Sequence, residues 1–124
     1  MSLVMIHAGL ARASLMFSLL VGLISLGYYF LKRSIDGNLW GILVVGELLY
    51  LGQAAVGGIL LATTSPLPEN WRWVHLLYGV VLVISLPGAF AYSRGKDDRQ
   101  AALAYGIVAL FLAGVSIRAM LTAG

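Results

Sequence analysis

Cysteine is absent from this 124-residue sequence. That absence excludes disulfides, thiolate metal sites, iron–sulfur clusters and covalent attachment of a c-type haem, and it leaves the redox compartment open. Charge is scarce as well, at 10% of residues, where an ordinary soluble domain carries about 25%. The eight basic residues outnumber the five acids, but they stand in short segments beside apolar runs rather than in a basic patch. Nucleic acid is therefore not an expected partner, and topogenic charge accounts for them better. Histidine occurs only twice. With thiolates excluded, it is the main transition-metal ligand the chain has left.

What is abundant is apolar: 60% hydrophobic residues and a mean hydropathy of +0.93. A helix that crosses the hydrocarbon layer needs about 20 such residues, so the chain has room for four or five spans in one bundle and none for a soluble catalytic domain. The lipid bilayer is its first expected partner. The first run, Leu3 to Phe30, is broken only by His7 and Arg12 and closes on Lys32 and Arg33. A signal peptide would place the cations before a shorter core, so this run reads as a retained span. After a polar turn in which Asn38 can cap a helix, the second run extends from Leu39 to Thr63. It carries Glu47 and Gln53 among many small residues, including Gly41, Gly46, Gly52, Gly57 and Gly58. Small side chains suit the close approach of another helix, or of a flat cofactor.

Pro66 and Pro68 mark the longest irregular connection, and Trp71 and Trp73 after it suit an interfacial aromatic belt. The third run, Trp73 to Tyr92, contains Pro87-Gly88, where a kink or an early helix end is expected. Arg94, Lys96, Asp97, Asp98 and Arg99 separate it from the fourth run, Ala101 to Leu121, which is interrupted by Arg118. The reading is thus an all-α, integral membrane four-helix up-down bundle with spans near 3–31, 39–63, 71–93 and 101–121. The first and third connections hold five cations, whereas the second holds only Arg72. The positive-inside rule then sets an N-out, C-out orientation. A bacterial or archaeal cytoplasmic membrane is the expected location.

At 1.5 Å of rise per residue, His7 and His75 each lie roughly 6 Å inside the outer start of their helices. First and third helices of an up-down bundle are diagonal neighbours, so both imidazoles can face the bundle axis at one depth. Haem iron takes two axial ligands on opposite faces of the porphyrin, and imidazole serves both. One b-type haem on His7 and His75 is the sharp reading; interhelical hydrogen bonding or interface anchoring by each histidine is the plain one. The propionates of a haem need cations, for which Arg12, Arg72 and Arg118 are at about the right level, with Gln53 near the level of Arg12. Gly9, Gly57, Gly58 and Gly79 are candidates for clearance around the macrocycle. Zinc is a weaker fit, since it would want three or four protein ligands. Glu47 lies nearer mid-membrane, where it is a candidate proton relay or ion-pair partner of Arg12, across an axial offset of about 8 Å that strains side-chain reach.

His7 followed by Ala-Gly-Leu-Ala-Arg-Ala, and Val74-His75-Leu-Leu-Tyr after Gly-Gln-Ala-Ala-Val-Gly-Gly and a proline-containing loop, resemble one half of the heme A synthase family. The resemblance covers most of the chain and rests on hydrophobic patterning. It implies a four-helix half whose histidines, here His7 and His75, ligate haem. The family has a glutamate shortly before the first histidine, implicated in oxidising the haem methyl group; Leu3 and Val4 stand there in this chain. The outer-loop cysteine pair of many members is also missing. An electron-transfer subunit of a larger respiratory or photosynthetic complex, or of a homodimer, is the more economical expectation. Its alternatives are a half-size heme A synthase-like or quinone-reactive membrane enzyme, and a structural, lipid-contacting subunit without cofactor.

Overall fold

Each of the four apolar runs forms one helix in the computed structural model, which describes residues 2–67, 69 and 73–122. The helices are α1 (Leu3–Phe30), α2 (Gly37–Thr63), α3 (Val74–Tyr92) and α4 (Arg99–Thr122), and no strand occurs among the described residues. All four are long and apolar enough to cross a membrane. Their outward faces carry exposed Leu19, Leu20, Leu23, Val44, Leu48, Ile84 and Phe111. Such a surface needs hydrocarbon around it, so the chain is a multi-pass integral membrane protein.

Side-chain capping fixes the starts of α1, α2 and α4, and the last two fall earlier than the hydropathy suggests. Asp36, rather than Asn38, caps α2: its carboxylate accepts the Leu39 N–H at 3.0 Å. The same carboxylate accepts the Tyr28 hydroxyl at 2.9 Å and pairs with Arg33 at 3.2 Å, so it is held from three sides. At the start of α4, Asp98 accepts the Ala101 N–H at 2.9 Å. Ser2 does the same for α1 through Met5. In each case the carboxylate or hydroxyl satisfies an otherwise orphaned N–H of the first turn.

α1 and α3 end alike. Lys32 and Arg94 both adopt φ 57°, and the following residues, Arg33 and Gly95, donate back to Tyr28 and Phe90 five positions earlier. This left-handed closure satisfies terminal carbonyls. The two connections are also tied to each other: Ile35 N–H donates to the Asp97 carbonyl at 2.6 Å, and the Arg99 guanidinium donates to the Tyr29 carbonyl at 3.0 and 3.1 Å. α3 does not stop at Pro87-Gly88, as an early end would require, but runs on to Tyr92. The proline leaves only the Val83 carbonyl without its usual helical donor.

α1 packs on α4 and α2, and α3 packs on α4 and α2, with the α1–α4 contact the most extensive and the α2–α3 contact the least. The glycine-rich α2 is expected to admit either another helix or a flat cofactor at close range. Instead Gly41, Gly52 and Gly58 face open space, and only Gly46, against Phe17, and Gly57, against His7, abut side chains of another helix. The close approach is on α1 and α4. A Cβ at Gly22 would lie 2.7 Å from Leu110, and one at Gly106 would lie 2.9 Å from the Leu26 side chain and 3.1 Å from its backbone nitrogen. Buried Ser14, Ser18 and Ser25 extend that small-residue face along α1, and Ser18 hydrogen-bonds the Tyr50 hydroxyl across to α2.

Candidate functional site

His7 stands in the second turn of α1 and His75 at the second residue of α3. These helices occupy opposite corners, yet their imidazoles meet across the bundle, with ring centroids 6.1 Å apart and planes at 80°. The His75 ring is oriented by its Nδ1, 2.8 Å from the Ala119 carbonyl of α4. A carbonyl only accepts, so Nδ1 carries the proton and, in the neutral ring, Nε2 carries the lone pair. The His7 ring lies edge-on against α2: a Cβ at Gly57 would come 3.0 Å from its Cε1 and 3.7 Å from either nitrogen. Glycine at 57 is what admits an imidazole there.

Both rings line a cavity of about 750 Å³. Its wall includes Arg12, Ser14, Gln53 and Ser116 among apolar side chains, with Gly57, Gly58 and Gly79 adding no bulk. Exposed Ala54 and Gly58 of α2 and Leu76, Val80 and Ile84 of α3 also line it, where the two helices touch least. Four buried polar atoms of its lining have no hydrogen-bond partner: His7 Nδ1, Ser14 Oγ, Gln53 Oε1 and Ser116 Oγ. Native interiors rarely tolerate such groups. Several around one hollow mark a place where a ligand or water completes the bonding.

The residues singled out from the sequence separate into two sets. His7, His75, Arg12 and Gln53 come together at the cavity, with Gly57, Gly58 and Gly79. Gly9 is not in its lining and faces open space. Arg118 lines a different groove, on α3 and α4, and Arg72 and Trp71 lie outside the described residues. The Arg12–Glu47 ion pair does not form: Glu47 Oε1 is buried without a hydrogen-bond partner, and the ion pair among the described residues is Arg33–Asp36. An offset of about 8 Å between Arg12 and Glu47 along the helix axes already strains side-chain reach. Ser14, Ser116 and the Ala119 carbonyl were not anticipated. The two serines could have been noted as polar breaks in apolar runs, but a backbone carbonyl leaves no trace in sequence.

The donor set is accordingly two imidazoles facing one another, one exposed cation beside them, and hydroxyl and amide groups. Among the described residues no three His, Cys, Asp or Glu side chains cluster as a metal site. No known protein family, no curated protein and no solved structure matches this chain. The functional reading therefore rests on the chemistry of this cavity.

Proposed function

We propose that the chain holds one b-type haem between His7 and His75 and serves as an electron-transfer subunit of a membrane complex. The observation that carries this reading is the approach of the two imidazoles across the diagonal of the bundle, 6.1 Å between centroids. Imidazole–metal bonds of about 2.0–2.1 Å on opposite sides of one ion, plus the ring radii, give about 6 Å between centroids. The fit extends to the surroundings. The cavity, at about 750 Å³, lies within the roughly 300–1,000 Å³ of sites that enclose cofactors, and Gly57, Gly58 and Gly79 keep side chains out of it.

In this reading His7 and His75 would hold the haem iron through their imidazole nitrogens. The Ala119 carbonyl fixes the His75 tautomer and raises its basicity, as a hydrogen-bonded outer partner does at metal-bound histidines. Arg12, exposed at the cavity, pairs with a propionate, and Gln53 and Ser116 donate hydrogen bonds at the periphery. The haem supplies reversible one-electron chemistry when bound. The chain is oriented N-out and C-out as an up-down bundle in a bacterial or archaeal cytoplasmic membrane, because the cations of the connections gather at one end. That places the histidines toward the outer face, where electrons can be exchanged with further membrane subunits or a second copy.

A quinone-reactive enzyme is the second reading. It is favoured by the cavity's exposed α2 and α3 lining, through which a lipid-soluble carrier can enter, and by the unsatisfied Ser14 and Ser116 hydroxyls, which can donate to a quinone's carbonyls. One experiment decides between them: visible spectra, oxidised and dithionite-reduced, of protein purified in mild detergent after expression with ample haem. A sharp reduced alpha band that His7→Ala and His75→Ala each abolish supports the haem. A colourless wild-type preparation overturns it and leaves quinone binding to be measured directly.

A further inference from the structure

We infer that Glu47 is a proton-exchanging group for the histidine cavity, reached from it through Ser14 and the hydrogen-bonded pair Ser18–Tyr50. These groups fall in one line. The positions of His7, Ser14 and Ser18 along α1 put all three on one face of the helix, within about 40° of one another. Ser14 is buried in the cavity wall, and its hydroxyl has no hydrogen-bond partner. Ser18, one turn and about 6 Å further along the axis, is buried and hydrogen-bonds the buried Tyr50 hydroxyl of α2. Glu47 stands in the adjoining turn of α2, near enough for its charge to act on that hydroxyl. Its Oε1 is buried without a hydrogen-bond partner.

Each link can pass a proton. A hydroxyl accepts a proton on a lone pair and releases the one it held, so every hop breaks one O–H bond and forms another, with no electron moved and no hydroxyl consumed. The axial step from Ser14 to Ser18 matches one bridging water, whose two hydrogen bonds of about 2.8 Å each span it. The long, rotatable Glu47 side chain closes the last step. Approach from the other end of the bundle is blocked: α2 buries Leu43 and Leu39 there, and Trp40 packs edge-on against Phe90 of α3 and Tyr105 of α4. The route therefore opens on the cavity, whose wall continues to exposed Thr64 and Leu67 in the connection after α2. An ionisable group inside a membrane marks function more often than packing, and among the described residues no ion pair holds Glu47. A proton exchanged with Glu47 balances charge that arrives in the cavity, whichever carrier brings it. The inference rests on the cavity and its serines, and not on haem as the occupant.

Infrared spectroscopy of the purified chain, transferred from light to heavy water, tests the route without any cofactor. The carboxylic C=O band that is lost in Glu47→Gln belongs to Glu47, and its shift on deuteration times proton exchange at that group. Tyr50→Phe and Ser18→Ala should each slow the exchange roughly a hundredfold relative to wild type, the low end of what one positioned proton-transfer group contributes. Ser14→Ala should slow it less, because cavity water can take the place of that hydroxyl. Ser25→Ala removes another buried hydroxyl of α1, about two turns beyond Ser18, and should leave the rate unchanged. Exchange as fast in Tyr50→Phe and Ser18→Ala as in wild type overturns the route, and so does an equal slowing in Ser25→Ala. Absence of a Glu47-dependent band at every pH at which the chain stays folded overturns Glu47 as the exchanging group. Both principal variants remove one hydroxyl and leave the packing, and helicity and unfolding midpoint serve as fold controls. A colourless preparation that shows the expected pattern removes the haem and leaves the route standing.

Discussion

At the end of the bundle that carries Lys32 and Arg94, aromatic and aliphatic side chains interlock. Trp40 stacks edge-on with Phe90 and Tyr105 at 5.9 and 5.7 Å, around fully buried Leu39 and Ala102, and two connections are hydrogen-bonded to each other. At the opposite end, two imidazoles, an amide and two serines surround a hollow of about 750 Å³. Lipid tails are as apolar as leucine, so helices in a bilayer are not driven together by the hydrophobic effect; close packing and polar contacts hold them. The filled end therefore carries the stability, through the near-contact of α1 and α4 at Gly22 and Gly106. The hollow end contributes little packing and is open to be specified by what it binds.

The largest expected effect attacks the hollow end. Gly57→Leu places a branched side chain where even a Cβ would be 3.0 Å from the His7 ring. The imidazole is the far end of a rotatable side chain, so it moves aside rather than forcing the helices apart. If the chain holds a haem as proposed, haem content per protein, read from the reduced spectrum, should fall at least about tenfold, or 1.4 kcal/mol, with little change in unfolding midpoint. A variant that keeps its haem would show that His7 does not need the Gly57 cradle; one that loses fold and haem together would show that the two ends are not separable.

The next effect belongs to the filled end. In Gly106→Ala the new methyl meets the Leu26 backbone nitrogen at 3.1 Å, and backbone cannot yield alone. Overpacking of this kind costs about 1–3 kcal/mol, of which the better helix propensity of alanine returns up to roughly 1. A net loss of about 1–2 kcal/mol is expected in equilibrium unfolding in detergent. Gly52→Ala has nothing within 4 Å of the added methyl and should be neutral or slightly stabilising. Equal costs at the two glycines would erase the distinction between tight and open faces.

How much of this was legible in the sequence follows from which forces act on one residue and which on two. Four spans were readable because insertion into hydrocarbon depends on each segment's own composition, and the level placement of His7 and His75 followed from counting along two helices. Capping was half-legible: Asp36 and Asn38 are both able caps, and only the Tyr28 and Arg33 contacts to Asp36 decide between them. The close-packed pair was not legible, because the abundance of glycine in α2 says nothing of which face meets a neighbour, whereas Gly22 and Gly106 lie in helices with few glycines and their facing is set by the α1–α4 crossing. Arg118 and His75 share a depth, but rotation about each helix axis sends the arginine to an outer groove and the imidazole to the cavity. Depth is a one-helix quantity; facing is a two-helix one.

The smallest effect concerns the polar closure of the filled end. Asp36 is held below the usual carboxylate range, chiefly by the Leu39 N–H that its carboxylate accepts and then by the Tyr28 hydroxyl, with the Arg33 charge adding to both. A carboxyl whose folded pKa is depressed favours the folded state above its unfolded value, near 3.8, and loses that contribution as pH falls through the folded pKa. Unfolding midpoints should therefore be insensitive to this group from neutral pH down to about 4 and then decline more in wild type than in Asp36→Asn. The asparagine keeps an oxygen for the Leu39 N–H but has no charge to lose. Because the carboxylate is solvent-accessible, the difference should be small and should shrink at high salt. Hydrogen exchange at the Leu39 amide gives the local readout: acid should speed it in wild type more than in the variant. Parallel acid profiles would mean that the cap closes this end through its geometry alone and that its charge contributes nothing.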